Sequence, residues 1–133
     1  MLNITVQKSA VLKQKPADEG KLGFGKLFTD HMFLMDYTAG EGWHDARIVP
    51  YAPLPLDPAT TVFHYAQEIF EGMKAYRTAE GKVQLFRPEC NAARFNDSAD
   101  RLGMPPIPTK DFVQAVKALV DVERDWVPHS DGA

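Results

Sequence analysis

A single cysteine, Cys90, in 133 residues rules out a disulfide within the chain. No apolar run approaches the roughly 18 residues that a membrane-spanning helix needs. The first residues, Met1-Leu2-Asn3-Ile4-Thr5, have neither the basic flank nor the apolar core of a secretion signal. There is no cationic excess: the net charge is -3, so no basic surface points to nucleic acid. His31, His44, His64 and His129 lack metal-ligand spacing, and each is expected to pack or hydrogen-bond locally. Repeats and low-complexity tracts are missing too. These absences point to the cytoplasm, with no nucleic acid, membrane or metal as partner.

What is present is ordinary for a globular domain: 44% hydrophobic and 25% charged residues. The length suggests one domain. Residues 1–20 read as a polar arm with one strand at Ile4-Thr5-Val6, residues 21–128 as the body, and residues 129–133 as a polar tail. The run 28–37 fits a strand, 38–42 a turn and 43–51 a second strand, with Pro50 limiting it to an edge or an end.

Asp57-Pro58 reads as a helix start. Val62, Ala66, Ile69 and Met73 follow on one helical face, and Gly72 is placed to close the helix in a left-handed conformation. Met73–Arg77 and Lys82–Phe86 form a hairpin around Thr78-Ala79-Glu80-Gly81. Pro88 opens a helix that Gly103 closes. Thr109 caps a last helix, with Asp111 in its first turn and Pro128 beyond its end. Hairpins imply antiparallel pairing. The expected class is α+β, with helices packed on one face of an antiparallel sheet.

Generic chemical motifs fail here. Gly20-Lys21-Leu22-Gly23-Phe24-Gly25-Lys26 matches seven positions of a phosphate-binding loop, but Leu27 stands where Ser or Thr should hold magnesium. The following segment reads as a strand, not a helix. Cys90 lies in a predicted helix without an activating partner and reads as structural. Ser98 has neither a nearby histidine nor nucleophile-elbow glycines.

Longer motifs are specific. Residues 28–37, Phe-Thr-Asp-His-Met-Phe-Leu-Met-Asp-Tyr, come first, and Gly42-Trp43-His44-Asp45-Ala46-Arg47-Ile48-Val49-Pro50-Tyr51 follows. Then comes His64-Tyr65-Ala66-Gln67-Glu68-Ile69-Phe70-Glu71-Gly72-Met73-Lys74-Ala75-Tyr76-Arg77. Leu85-Phe86-Arg87-Pro88, Asn91-Ala92-Ala93-Arg94-Phe95, Ser98, Arg101-Leu102 and Asp125-Trp126-Val127-Pro128 continue in order. Over residues 24–128 the chain resembles the amino-terminal small domain of branched-chain-amino-acid aminotransferases, fold-type-IV enzymes that use pyridoxal 5'-phosphate (PLP).

The resemblance implies transfer of the amino group between leucine, isoleucine or valine and 2-oxoglutarate, in a homodimer serving branched-chain amino-acid biosynthesis. It matches Arg94 to the arginine that holds the PLP phosphate, a task suited to a permanently charged fork of donors. Without it, Arg94 reads as a solvated helix residue. Tyr65 and Phe70 match aromatic residues of the substrate pocket, where an aliphatic side chain needs an apolar wall. Without it, both read as core. Gly72 would turn the backbone beside the pocket, and Lys74 matches no catalytic lysine.

The family's Schiff-base lysine falls beyond residue 133, so no catalytic residue is assigned here. The 133 residues alone are expected to be inactive and to bind PLP weakly or not at all. They are also expected to associate as dimers or larger species through an unpaired sheet edge. Two other readings stay open. One is a D-amino acid aminotransferase or aminodeoxychorismate lyase relative. The other is a non-catalytic dimerisation or regulatory domain that pairs with full-length subunits.

Overall fold

The computed structural model describes residues 1–130, and residues 131–133 of the expected tail lie outside them. The long hairpin predicted near the amino terminus is present. Strands β2 (His31–Thr38) and β3 (Gly42–Pro50) pair antiparallel, with Phe33 opposite Ile48 and Tyr37 opposite Trp43. The turn between them uses Gly40 and Gly42 at φ near +90°, a conformation that costs other residues strain.

The register shifts between Leu34 and Asp36, because β3 inserts an extra residue there. Asp45, at φ 52°, forms this bulge, which aspartate tolerates better than most side chains. Beyond the bulge, Ala46 and Ile48 face inward and are buried. Pro50 ends β3, where its missing N–H costs no ladder bond.

The arm also enters the sheet. β1 (Thr5–Val6) lies parallel to β3, with Val6 beside Ile48, so β3 is the central strand. Leu2 and Gln114 exchange two 2.8 Å hydrogen bonds, fixing the chain's start on a helix. The predicted second hairpin forms a separate two-stranded sheet, β4 (Ala75–Arg77) with β5 (Val83–Leu85). The α+β class holds, as two small sheets instead of one, with a parallel pair in the larger. That pairing is long-range and leaves no turn signal in the sequence.

Three helices complete the fold: α1 (Thr61–Tyr65), α2 (Pro88–Arg101) and α3 (Thr109–Val122). Pro88 at the first position and Gly103 at φ 65° just past the end bound α2 as predicted. Its Ala92 and Ala99 are fully buried, and Phe95 meets Phe112 of α3 at 5.2 Å between ring centroids. The small alanines let the two helices approach closely. α3 in turn packs against β2. No helix among the described residues is long and apolar enough to cross a membrane.

Two helix expectations need correction. Thr109 does not cap α3. It is the first helical residue, and Pro108 takes the cap position with no side-chain cap bond. Asn96 holds both the N–H and the C=O of Ile107, which fixes the approach of the chain to α3. The helix expected from Asp57 to Gly72 shrinks to the five residues of α1. The Asp57 carboxylate accepts from the Ala59 N–H, which makes a local turn instead of a helix cap. Ala66 then adopts a left-handed conformation (φ 48°, ψ 40°) and ends the helix. Gly72 does not.

Candidate functional site

Beyond Ala66 the chain has no regular structure until β4. Residues 67–72 are tied instead to α2. The Gln67 amide donates to the Leu102 carbonyl at the far end of that helix. Four residues on, Glu71 is held at its near end. The segment therefore runs antiparallel along α2. Side-chain bonds to the helix replace the internal helical bonds that the spacing of Val62, Ala66, Ile69 and Met73 suggested.

Glu71 is the centre of this attachment. Its Oε1 accepts from the Gly72 N–H at 3.0 Å and from Asn91 Nδ2 at 2.9 Å. Asn91 Nδ2 also donates to the Gly72 carbonyl at 3.0 Å. Arg94 closes the cluster: Nε donates to Oε2 at 2.7 Å, and Nη2 donates to Oε1. The Glu71 side chain is only 5% exposed, whereas that of Arg94 is 67% exposed. The guanidinium, aided by Asn91, holds the Glu71 carboxyl far below its ordinary 4.5, at about 2. The same pair raises the Arg94 pKa further, so the arginine stays charged.

A carboxyl with a depressed folded-state pKa stabilises the fold above its unfolded pKa and loses that contribution as the pH falls through the folded value. Glu71 therefore stabilises the chain fully above about pH 4.5, and this share is lost between there and about pH 2. Acid unfolding followed by circular dichroism is expected to be shallower over that interval in Glu71→Gln than in the wild type. Equal slopes would contradict the assignment. Asp30 and Glu19 contribute in the same direction. The Lys13 N–H lowers Asp30, and the Ser130 hydroxyl lowers Glu19.

Arg94 thus lies on α2 with one edge engaged. Among the described residues its Nη1 makes no hydrogen bond, so the outer edge of the guanidinium faces solvent. Phe70 directly precedes Glu71 and is 79% exposed. Its ring lies over Gly72, where an added Cβ would sit 3.3 Å from Phe70 Cζ. Gly72 therefore leaves room for a ring, with no left-handed turn. Tyr65, the last residue of α1, is 82% exposed. Neither ring is core. The attachment of residues 67–72 ties Glu71, the residue after Phe70, to Arg94. Tyr65 stands at the start of the same segment, and Lys74 is exposed just before β4.

Glu71 and Asn91 were not among the candidate residues. Both lie inside the motifs quoted for 64–77 and 91–95, and their place in those motifs was the available signal.

The remaining motifs take structural parts. Residues 20–26 run from a single 3-10 turn (Glu19–Lys21) into a loop with Gly23 and Gly25 at positive φ, leading to β2. It borders a cavity of about 260 Å³ lined by Lys15, Leu22, Phe28 and Trp126, away from the Arg94 cluster. His44 bonds locally to Thr38 and Asp45, and His64 to the Pro58 carbonyl. His31 instead reaches Glu123, 92 residues away. Cys90 is exposed in the first turn of α2, not packed as expected. No group of three or more His, Cys, Asp or Glu among the described residues is arranged to hold a metal ion.

No protein-family profile matches the chain. Individual proteins do. Branched-chain-amino-acid transaminase 1 of Bacillus subtilis (strain 168) is 53% identical over 126 residues, covering 95% of this chain and 35% of that protein. The probable branched-chain-amino-acid aminotransferase of Streptomyces coelicolor is 59% identical over 110 residues, 83% of this chain and 30% of that protein. The Staphylococcus aureus (strain N315) protein of the same description is 49% identical over 129 residues, 97% of this chain and 36% of that protein. The chain thus spans about a third of the length of the curated relatives it matches, at their amino-terminal end.

Proposed function

We infer that this chain, whose relatives are branched-chain-amino-acid aminotransferases, is the amino-terminal part of such an enzyme and supplies one side of its cofactor and substrate site. The reaction moves an amino group between leucine, isoleucine or valine and 2-oxoglutarate, in a cytoplasmic homodimer of fold type IV that serves biosynthesis. The observation that carries this reading is the solvent-facing edge of Arg94, a permanent cation paired with Glu71, the residue after the exposed Phe70.

The donor set suits the phosphate end of PLP. An arginine with a free edge takes two phosphate oxygens in a fork. PLP, when bound, supplies the electron sink for the reaction. The tasks of this chain are binding and orientation. Arg94 would hold the phosphate of the bound cofactor. Phe70 and Tyr65 offer apolar faces to an aliphatic side chain and keep water from it. Gly72 keeps the backbone low enough for the Phe70 ring to lie across it. Proton transfer is assigned to no residue of this chain.

Arg94→Ala tests the reading. In the complete transaminase, PLP affinity is expected to fall by about 2 kcal/mol, roughly thirtyfold, the value of a hydrogen bond between charged partners. Affinity for pyridoxal, which has no phosphate, should be unchanged. Equilibrium dialysis with both ligands measures this, and an unaltered preference for PLP over pyridoxal would overturn the assignment.

A further inference from the structure

We propose that Glu71 is a positioning residue for Arg94, holding its guanidinium so that the outer edge presents to the cofactor phosphate. This rests on the reading of Arg94 as the phosphate ligand. An exposed arginine has many rotamers and loses much of that freedom when it binds. Among the described residues, Glu71 is the only side chain that bonds to the Arg94 guanidinium. Glu71 is itself immobile, since it is buried and held by the Gly72 N–H and by Asn91. A fixed carboxylate therefore sets a mobile cation.

The geometry selects the edge. With Nε and Nη2 engaged by the carboxylate, Nη1 and the second N–H of Nη2 remain in the same plane on the far side. That is the fork a phosphate accepts. A carboxylate near an anion site also repels the anion. Here the repulsion is screened, because Arg94 stands between the two and is largely exposed to water and salt. The ordering gain outweighs it. The same carboxylate holds Gly72, so the Phe70 ring and the phosphate ligand share one anchor.

Glu71→Gln separates the two roles of this residue. The amide oxygen can still accept from Gly72, Asn91 and Arg94 Nη2, but the NH2 replaces the oxygen that accepts from Arg94 Nε, so the two-point grip on the guanidinium is lost. In the complete transaminase, the preference for PLP over pyridoxal is expected to fall roughly five- to tenfold, as when one rotamer-rich side chain must be ordered on binding. In an Arg94→Ala background the same substitution should change nothing further. Asn91→Ala loosens the carboxylate without removing it, and a smaller loss in the same direction is expected.

An unchanged or increased preference in Glu71→Gln overturns the proposal, as does an equal loss in the Arg94→Ala background, which would mark a purely structural effect. If Glu71→Gln does not fold, Asn91→Ala decides: a lost preference supports the proposal and an unchanged one overturns it. Should Arg94→Ala alone leave the preference intact, the phosphate reading fails, and the role of Glu71 with it. If Arg94→Ala removes the preference and Glu71→Gln does not, only the positioning role fails.

Discussion

Replacing Glu123 with alanine is expected to lower the stability of the chain by about 3 kcal/mol. Glu123 follows the last turn of α3, and His31 opens β2. His31 Nδ1 lies 2.5 Å from Glu123 Oε1, with both side chains buried. On the other side of the ring, Nε2 accepts from the Ser9 N–H at 2.8 Å. An imidazole that accepts at Nε2 carries its proton on Nδ1. The ring therefore donates to Glu123 and accepts from the arm at once.

Alanine at 123 would leave a buried N–H without an acceptor and remove a bond to a charged group. Gln at 123 can still accept, so Glu123→Gln should lose only about 1 kcal/mol. Urea unfolding of the three proteins reads this out directly. The neighbouring residue makes a parallel connection: Asp30 accepts from the Lys13 N–H and from Trp126 Nε1, each at 2.7 Å. Amide exchange at Ser9 should accelerate in Glu123→Ala, because its acceptor is no longer held. A Glu123→Ala protein within about 0.5 kcal/mol of the wild type would refute this account.

Ile48→Ala should be comparably severe, at about 3 kcal/mol, from lost burial and the cavity left behind. Ile48 lies on the central strand between Val6 and Phe33 and is the one large side chain that is wholly inaccessible among the described residues. The other buried apolar residues are alanines and valines, so few neighbours can collapse into the gap. Ile48→Val should cost about 1 kcal/mol. Phe24→Ala, at a residue 91% exposed, should stay within about 0.5 kcal/mol despite its larger truncation. Thermal unfolding of the three variants checks the order. A milder loss in Ile48→Ala than in Phe24→Ala would show that the core is elsewhere.

Both hairpins and both long helices were legible because their signals are local. Gly40 and Gly42 mark one turn, and Gly81, at φ 78°, marks the other. Pro88 and Gly103 bracket α2. The helix predicted over 57–72 shows the limit of such signals. Its apolar spacing is real, but none of Val62, Ala66, Ile69 and Met73 is buried. An isolated helix of such length gains little without packing on an apolar face. Bonds from Gln67 and Glu71 to α2 replaced the missing internal ones.

The candidate site divides in the same way. Arg94, Tyr65 and Phe70 were named through the family resemblance, which is carried by runs of residues adjacent in the chain. Glu71 was not, since its part depends on Asn91 and Arg94, which lie 20 and 23 residues further along the chain.

By itself, the sequence determined the hairpin turns, the ends of α2, the α+β class and the relationship to the aminotransferases. Each rests on residues adjacent in the chain or on long motifs in order. Only the tertiary structure decided that β1 joins β3 in parallel, that His31 ties the arm to α3, and that Glu71 holds one edge of Arg94. Those contacts join residues brought together by burial, and the energy that selects a buried partner does not depend on distance along the chain.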